Sequence, residues 1–155
     1  MGQVVAGRRA GQDVRSTAHW WVHMSFDYEI DSIRKIASVV PHGRSSLAES
    51  LRAIRNLASD IRLEDGIGVL VDLRGIEYSA SLDDADALAA TIARSGVLRG
   101  HRVALLASGE EEFTVASMIA TLSGLKGAVT QAFRSFDVAR AWLKHAKSRV
   151  DQSRN

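Results

Sequence analysis

Residues 69–84 read VLVDLRGIEYSASLDD, an apolar block that runs into a polar loop and then into a helix start. Together with Gly66-Ile67-Gly68 before it, the block is continuously apolar, the pattern of a strand buried on both faces. Ser81-Leu-Asp-Asp84 is a helix-capping pattern placed ahead of Leu88 and Ile92, and the main task of Ser81 is to accept an N–H bond at that helix start. Asp72, at the strand end, is either an acceptor for the turn that follows or a site carboxylate, and the first role is preferred. A buried strand feeding a helix is half of a β–α–β unit, so the fold turns on whether the pattern recurs.

It recurs on both sides. HRVALLAS at 101–108 is followed by a helix through about 111–125, and AVTQAFR at 128–134 by a helix from Asp137, with a further helix at 82–95 between the first two strands of this series. Upstream, Ser46-Leu-Ala-Glu49 is a capping box opening a helix with Leu47, Leu51, Ile54, Ala58 and Ile61 on one stripe. Before it stand FDYEI, with Phe26, Tyr28 and Ile30 on one face, and IRKIASVV at 33–40, stopped by Pro41-His42-Gly43. These two strands have no helix between them and are expected to pair antiparallel. The whole is an α/β chain: a single-layer mixed, largely parallel sheet of about five strands with about four helices and right-handed crossovers.

The chain has 155 residues, enough for one domain that needs no staples. It has no cysteine, which excludes disulfides, thiol catalysis and Cys-based zinc sites. No apolar run reaches the roughly 20 residues of a membrane helix, and no secretory signal is evident, so a cytoplasmic protein is expected. The formal net charge of +2 is uneven: residues 1–23 carry +2, residues 144–155 carry +3, and the stretch between carries −3. Positive charge confined to the ends does not make the basic folded face of a nucleic-acid binder, and no specific nucleic acid is expected. Residues 1–23 read as a disordered basic leader, either native or an upstream extension before a start at Met24; the domain spans 24–145 and 146–155 form a basic tail. Trp20 and Trp21 at the border could pack on the domain or on a second subunit, which leaves a homodimer open.

Enzyme signatures are weak. Gly66 and Gly68 precede their strand, whereas a dinucleotide fingerprint follows one. There is no Walker A pattern and no G-x-S-x-G elbow. His19 and His23 have metal-ligand spacing but flank Trp20 and Trp21 in the leader, and His42, His101 and His145 have no carboxylate partner assignable from spacing. Glu110, Glu111 and Glu112 read as first-turn acid at a helix N-terminus, and Met118 and Ile119 as helix core. A non-catalytic protein without cofactor or metal is expected.

In DLRGIEYSASL at 72–82, VLVDLRG at 69–75, RVALLAS at 102–108 and AFRSFDVARAWL at 132–143 the chain resembles STAS domains, the anti-sigma-factor-antagonist fold, over about residues 25–145. It is similar in particular to the SpoIIAA-like subgroup labelled STAS/SEC14. In phosphorylated antagonists the loop typically reads Asp-Ser-Ser-Gly, the second serine being modified; here the run is Ala80-Ser81-Leu82-Asp83, so the acceptor position falls on Leu82 and only Ser81 remains as a phosphoacceptor candidate. The resemblance implies a regulatory, protein-binding module without the phosphoserine switch. Its partner or ligand loop candidates are Arg74, Tyr78, Ser79, Ser81, Ser108 and His42, all at the carboxyl ends of strands, where open α/β folds place ligands. The alternative is a small apolar-ligand binder, which requires a cavity of roughly 300 Å³ or more.

Overall fold

The computed structural model describes residues 26–41, 46–74, 81–96 and 98–144. The leader with His19, Trp20, Trp21 and His23, the loop residues His42, Tyr78 and Ser79, and the tail with His145 lie outside the described residues. The strands are β1 (Phe26–Asp31), β2 (Ile36–Pro41), β3 (Gly68–Asp72), β4 (Arg102–Leu106) and β5 (Val129–Phe133). They form one sheet in the order β1-β2-β3-β4-β5. β1 and β2 pair antiparallel, and every later pair is parallel. The helices are α1 (Leu47–Ala58), α2 (Leu82–Arg94), α3 (Glu110–Leu125) and α4 (Phe136–Lys144). This is the mixed, largely parallel α/β sheet with four helices expected from the alternation of patterns.

The period of the strands sorts the core into two layers. Odd-numbered positions of the three inner strands, among them Val39, Val69, Val103 and Leu105, face α1, α2 and α3. Even-numbered Ile36, Leu70, Ala104 and Leu106 face Ala139 and Leu143 of α4. The contact between α4 and β3 is close: a Cβ on Gly68 would stand 2.9 Å from Leu143 Cδ2, so the strand passes under the helix only without a side chain there. The far end of α4 is pinned by Arg102, whose guanidinium donates to the Trp142 carbonyl at 3.0 Å and lies 4.9 Å from the Trp142 ring centroid.

Two details differ from the sequence reading. The run 33–40 begins as a turn rather than a strand: the Asp31 carboxylate accepts the N–H groups of Ile33 and Arg34, and Lys35 adopts φ +60°. That closes a β1–β2 hairpin and leaves Ile33 almost wholly exposed. The stripe of α1 stops at Ala58, so Ile61 is exposed beyond the helix, and Leu57 supplies the deepest contact instead.

The turn after α1 is tied to the sheet edge by Asp60. Its carboxylate accepts the Tyr28 hydroxyl at 2.9 Å and both the Nε and the Nη2 of Arg62, at 3.0 and 2.7 Å. The side-chain and backbone bonds from Arg62 hold the Asp60 carboxyl well below the usual carboxylate range. A depressed folded-state pKa stabilises the fold above the unfolded value of about 4, and that contribution disappears as pH falls towards the folded value. Melting temperatures of the parent and of Asp60→Asn should therefore differ most near neutral pH and converge in acid. A gap that widened on acidification would exclude this linkage.

Candidate functional site

Parallel pairing brings the carboxyl ends of β3, β4 and β5, and with them the starts of α2, α3 and α4, to one end of the sheet. Asp72 closes β3, and its carboxylate accepts the backbone N–H of Arg74 at 3.1 Å, Arg74 Nε at 2.9 Å and Nη2 at 2.8 Å. The guanidinium pulls the Asp72 carboxyl down, and the carboxylate in turn raises Arg74. Asp72 is thus the turn acceptor expected of it, and the fork it holds fixes the Arg74 side chain. Arg74 is exposed and lies 5.8 Å from the ring centroid of Phe136, the first residue of α4. Arg140 approaches the same ring at 5.5 Å.

Ser81 occupies the N-cap of α2 in extended backbone. Its hydroxyl accepts the Asp84 N–H at 3.1 Å, and the Asp84 carboxylate accepts the Ser81 N–H at 3.3 Å, a reciprocal capping box. The hydroxyl is exposed but already engaged as an acceptor. Leu82, next to it, is 64% exposed, although its spacing from Ala85, Ala89 and Ile92 places it on the buried stripe of α2. The first helical residue stands past the end of the packed sheet, so the stripe continues into solvent.

Ser108 is exposed two residues beyond β4. Gly109 caps α3 without a side-chain bond, and the Glu112 carboxylate folds back against it, where a Cβ would collide. Glu110 pairs with Arg134 at 3.8 Å, and the Arg134 guanidinium lies 4.2 Å from the Phe113 ring centroid. All three glutamates lie in the first turn of α3, where their placement put them. Among the described residues no group of three or more His, Asp or Glu side chains is placed to hold a metal.

Between the sheet and α1–α3, running from the amino to the carboxyl ends of the inner strands, lies an apolar cavity of about 100 Å³ lined by residues that include Val69, Val103, Ile54, Leu73 and Leu105. Glu112 and Ser50 are the polar side chains on its wall. Of the sequence candidates, then, Arg74, Ser81 and Ser108 are placed at the strand ends. The reading missed Phe136, which lies against Arg74, and the exposure of Leu82. Leu82 could have been found as an apolar first residue after a serine cap; Phe136 could not, because its stacking on Arg74 exists only once β3 and β5 share a sheet.

No protein-family model matches the chain, and no curated protein matches it. No helix among the described residues is long and apolar enough to cross a membrane.

Proposed function

We propose that the protein is a non-catalytic regulatory module of the anti-sigma-factor-antagonist kind, which binds a protein partner through the carboxyl end of its sheet. The observation that carries this reading is a cation, Arg74, fixed by Asp72 beside the exposed ring of Phe136, with exposed Leu82 opening a helix at the same end of the sheet. Aromatic residues and arginine are the residue types that concentrate binding energy at protein interfaces, and an arginine already held by Asp72 loses little freedom on docking. Ser81 acts here as a helix cap rather than a phosphate switch.

The test is capture of a partner with four baits: the parent, Leu82→Glu, Arg74→Ala and Ser81→Asp. Leu82→Glu and Arg74→Ala should lose the partner while their melting temperatures stay close to that of the parent. Ser81→Asp should bind and melt like the parent, because aspartate caps well and suits the helix dipole, whereas Ser81→Ala should lose about 1 kcal/mol of stability. Loss of the partner on Ser81→Asp alone would revive the phosphate switch and overturn the cap reading.

A second reading, binding of a small apolar ligand, is favoured by the aliphatic lining of the cavity between the sheet and α1–α3. Its volume of about 100 Å³ falls short of the roughly 300 Å³ expected of a small-molecule site, so it admits only a molecule much smaller than a lipid. A small molecule that co-purifies in native mass spectra, and is displaced when Val71→Phe fills the cavity, would favour that reading over the first.

A further inference from the structure

The opposite face of the sheet is only half covered. α4 packs over the inner strands, and beside it a groove of about 290 Å³ opens across β1 and β2. Its floor is Ile36 and Leu70, one wall is Phe136 with Arg140, and Glu29 and Ser38 project into it from the two hairpin strands. Asp31 and Arg34 at its edge neutralise each other at 3.7 Å. Glu29 and Arg140 are different: among the described residues neither forms an ion pair, with each other or with a third group, although both line the one groove.

We infer that this groove binds a small zwitterion, a free α-amino acid, with its carboxylate on Arg140 and its ammonium on Glu29. Arg140 is a half-buried residue whose guanidinium lies over the Phe136 ring, which limits its direction. Its planar fork matches a carboxylate in two parallel hydrogen bonds. A carboxylate on the facing strand matches an ammonium. Glu29 is exposed on the edge strand, where water otherwise meets its carboxylate, and a ligand bearing both signs engages it and Arg140 at once. The apolar floor accepts a short side chain, and the Ser38 hydroxyl offers a further donor or acceptor. The volume stands at the lower edge of small-molecule sites, about 300 Å³, which suits an amino acid and not a nucleotide.

The test is a titration followed by amide NMR shifts with L-alanine, N-acetyl-L-alanine and L-alanine amide, on the full chain and on E29Q and R140Q. Alanine should shift the amides of Glu29, Ser38 and Arg140 saturably, with Kd on the order of 1 mM. Each blocked compound should bind about tenfold more weakly, and so should alanine to either variant, with melting temperatures unchanged. Shifts that fail to saturate, that are equal for the blocked compounds, or that persist in R140Q would overturn the assignment. Tighter binding of the amide than of alanine would also overturn it, since that result assigns the groove to cations alone.

Discussion

Leu106→Ala should lower the unfolding free energy by about 3 kcal/mol, the largest effect expected of a single truncation in this chain. Leu106 has no exposed surface and lies at the centre of the layer beneath α4, in a cluster with Leu70, Phe133, Ala139 and Leu143. Two alanines already stand in that layer, at Ala104 and Ala139, so few side chains can move inward to refill a leucine-sized void. The backbone offers no relief either, since the Leu106 carbonyl accepts the Leu73 N–H at 2.7 Å and the strand register is fixed on both sides. A decrease in melting temperature of roughly 6–12 °C follows for a domain of this size. The functional surface should suffer as well, because Phe136 is carried by α4 and its approach to Arg74 depends on that helix staying seated. Thermal melts of Leu106→Ala beside Val129→Ala, a truncation at a half-exposed edge position, provide the measurement. Equal costs for the two would mean that α4 is not an integral layer.

The architecture was largely legible because its signals are local and repeat. Continuous apolar runs at 69–71 and 103–106, two capping boxes and an amphipathic stripe each rest on residues a few positions apart. The errors arose where a local pattern lost to neighbouring chemistry. Ile33 resembles the start of a strand until the Asp31 carboxylate captures its N–H and turns the chain. Ile61 continues the arithmetic of the α1 stripe, but α1 ends at Ala58 and Asp60 is committed to Tyr28 and Arg62. The candidate site was legible in part for the same reason. Asp72 and Ser81 lie within one connection and have local partners, so the turn acceptor and the helix cap followed from spacing, whereas the fork between Arg74 and Asp72 did not. Phe136 and the groove beside α4 bring together residues from both ends of the chain, and only the sheet order makes them neighbours.

His101→Leu should cost about 1–3 kcal/mol, and His101→Asn distinctly less. His101 is 4% exposed and is the one ionisable side chain among the buried polar residues described. Its Nδ1 lies 2.7 Å from the Ile67 carbonyl oxygen. A carbonyl can only accept, so Nδ1 carries the proton and donates. This bond joins the entry of β4 to the residue just before β3, where the chain emerges from the Gly66 turn at φ +84°. Ile67 is itself buried, 1% exposed, so its carbonyl has little access to water once the imidazole is gone. Leucine fills comparable space yet leaves that acceptor unpaired, and the full desolvation penalty then falls on the folded state. The asparagine amide can place an N–H close to the position of Nδ1 and restore the bond, at the cost of a smaller side chain. Sequence spacing gave His101 no partner; the group it serves is a backbone carbonyl across a parallel strand pair. Denaturant melts of the two variants separate the explanations. If leucine proves no worse than asparagine, packing volume rather than the hydrogen bond holds this end of the sheet together.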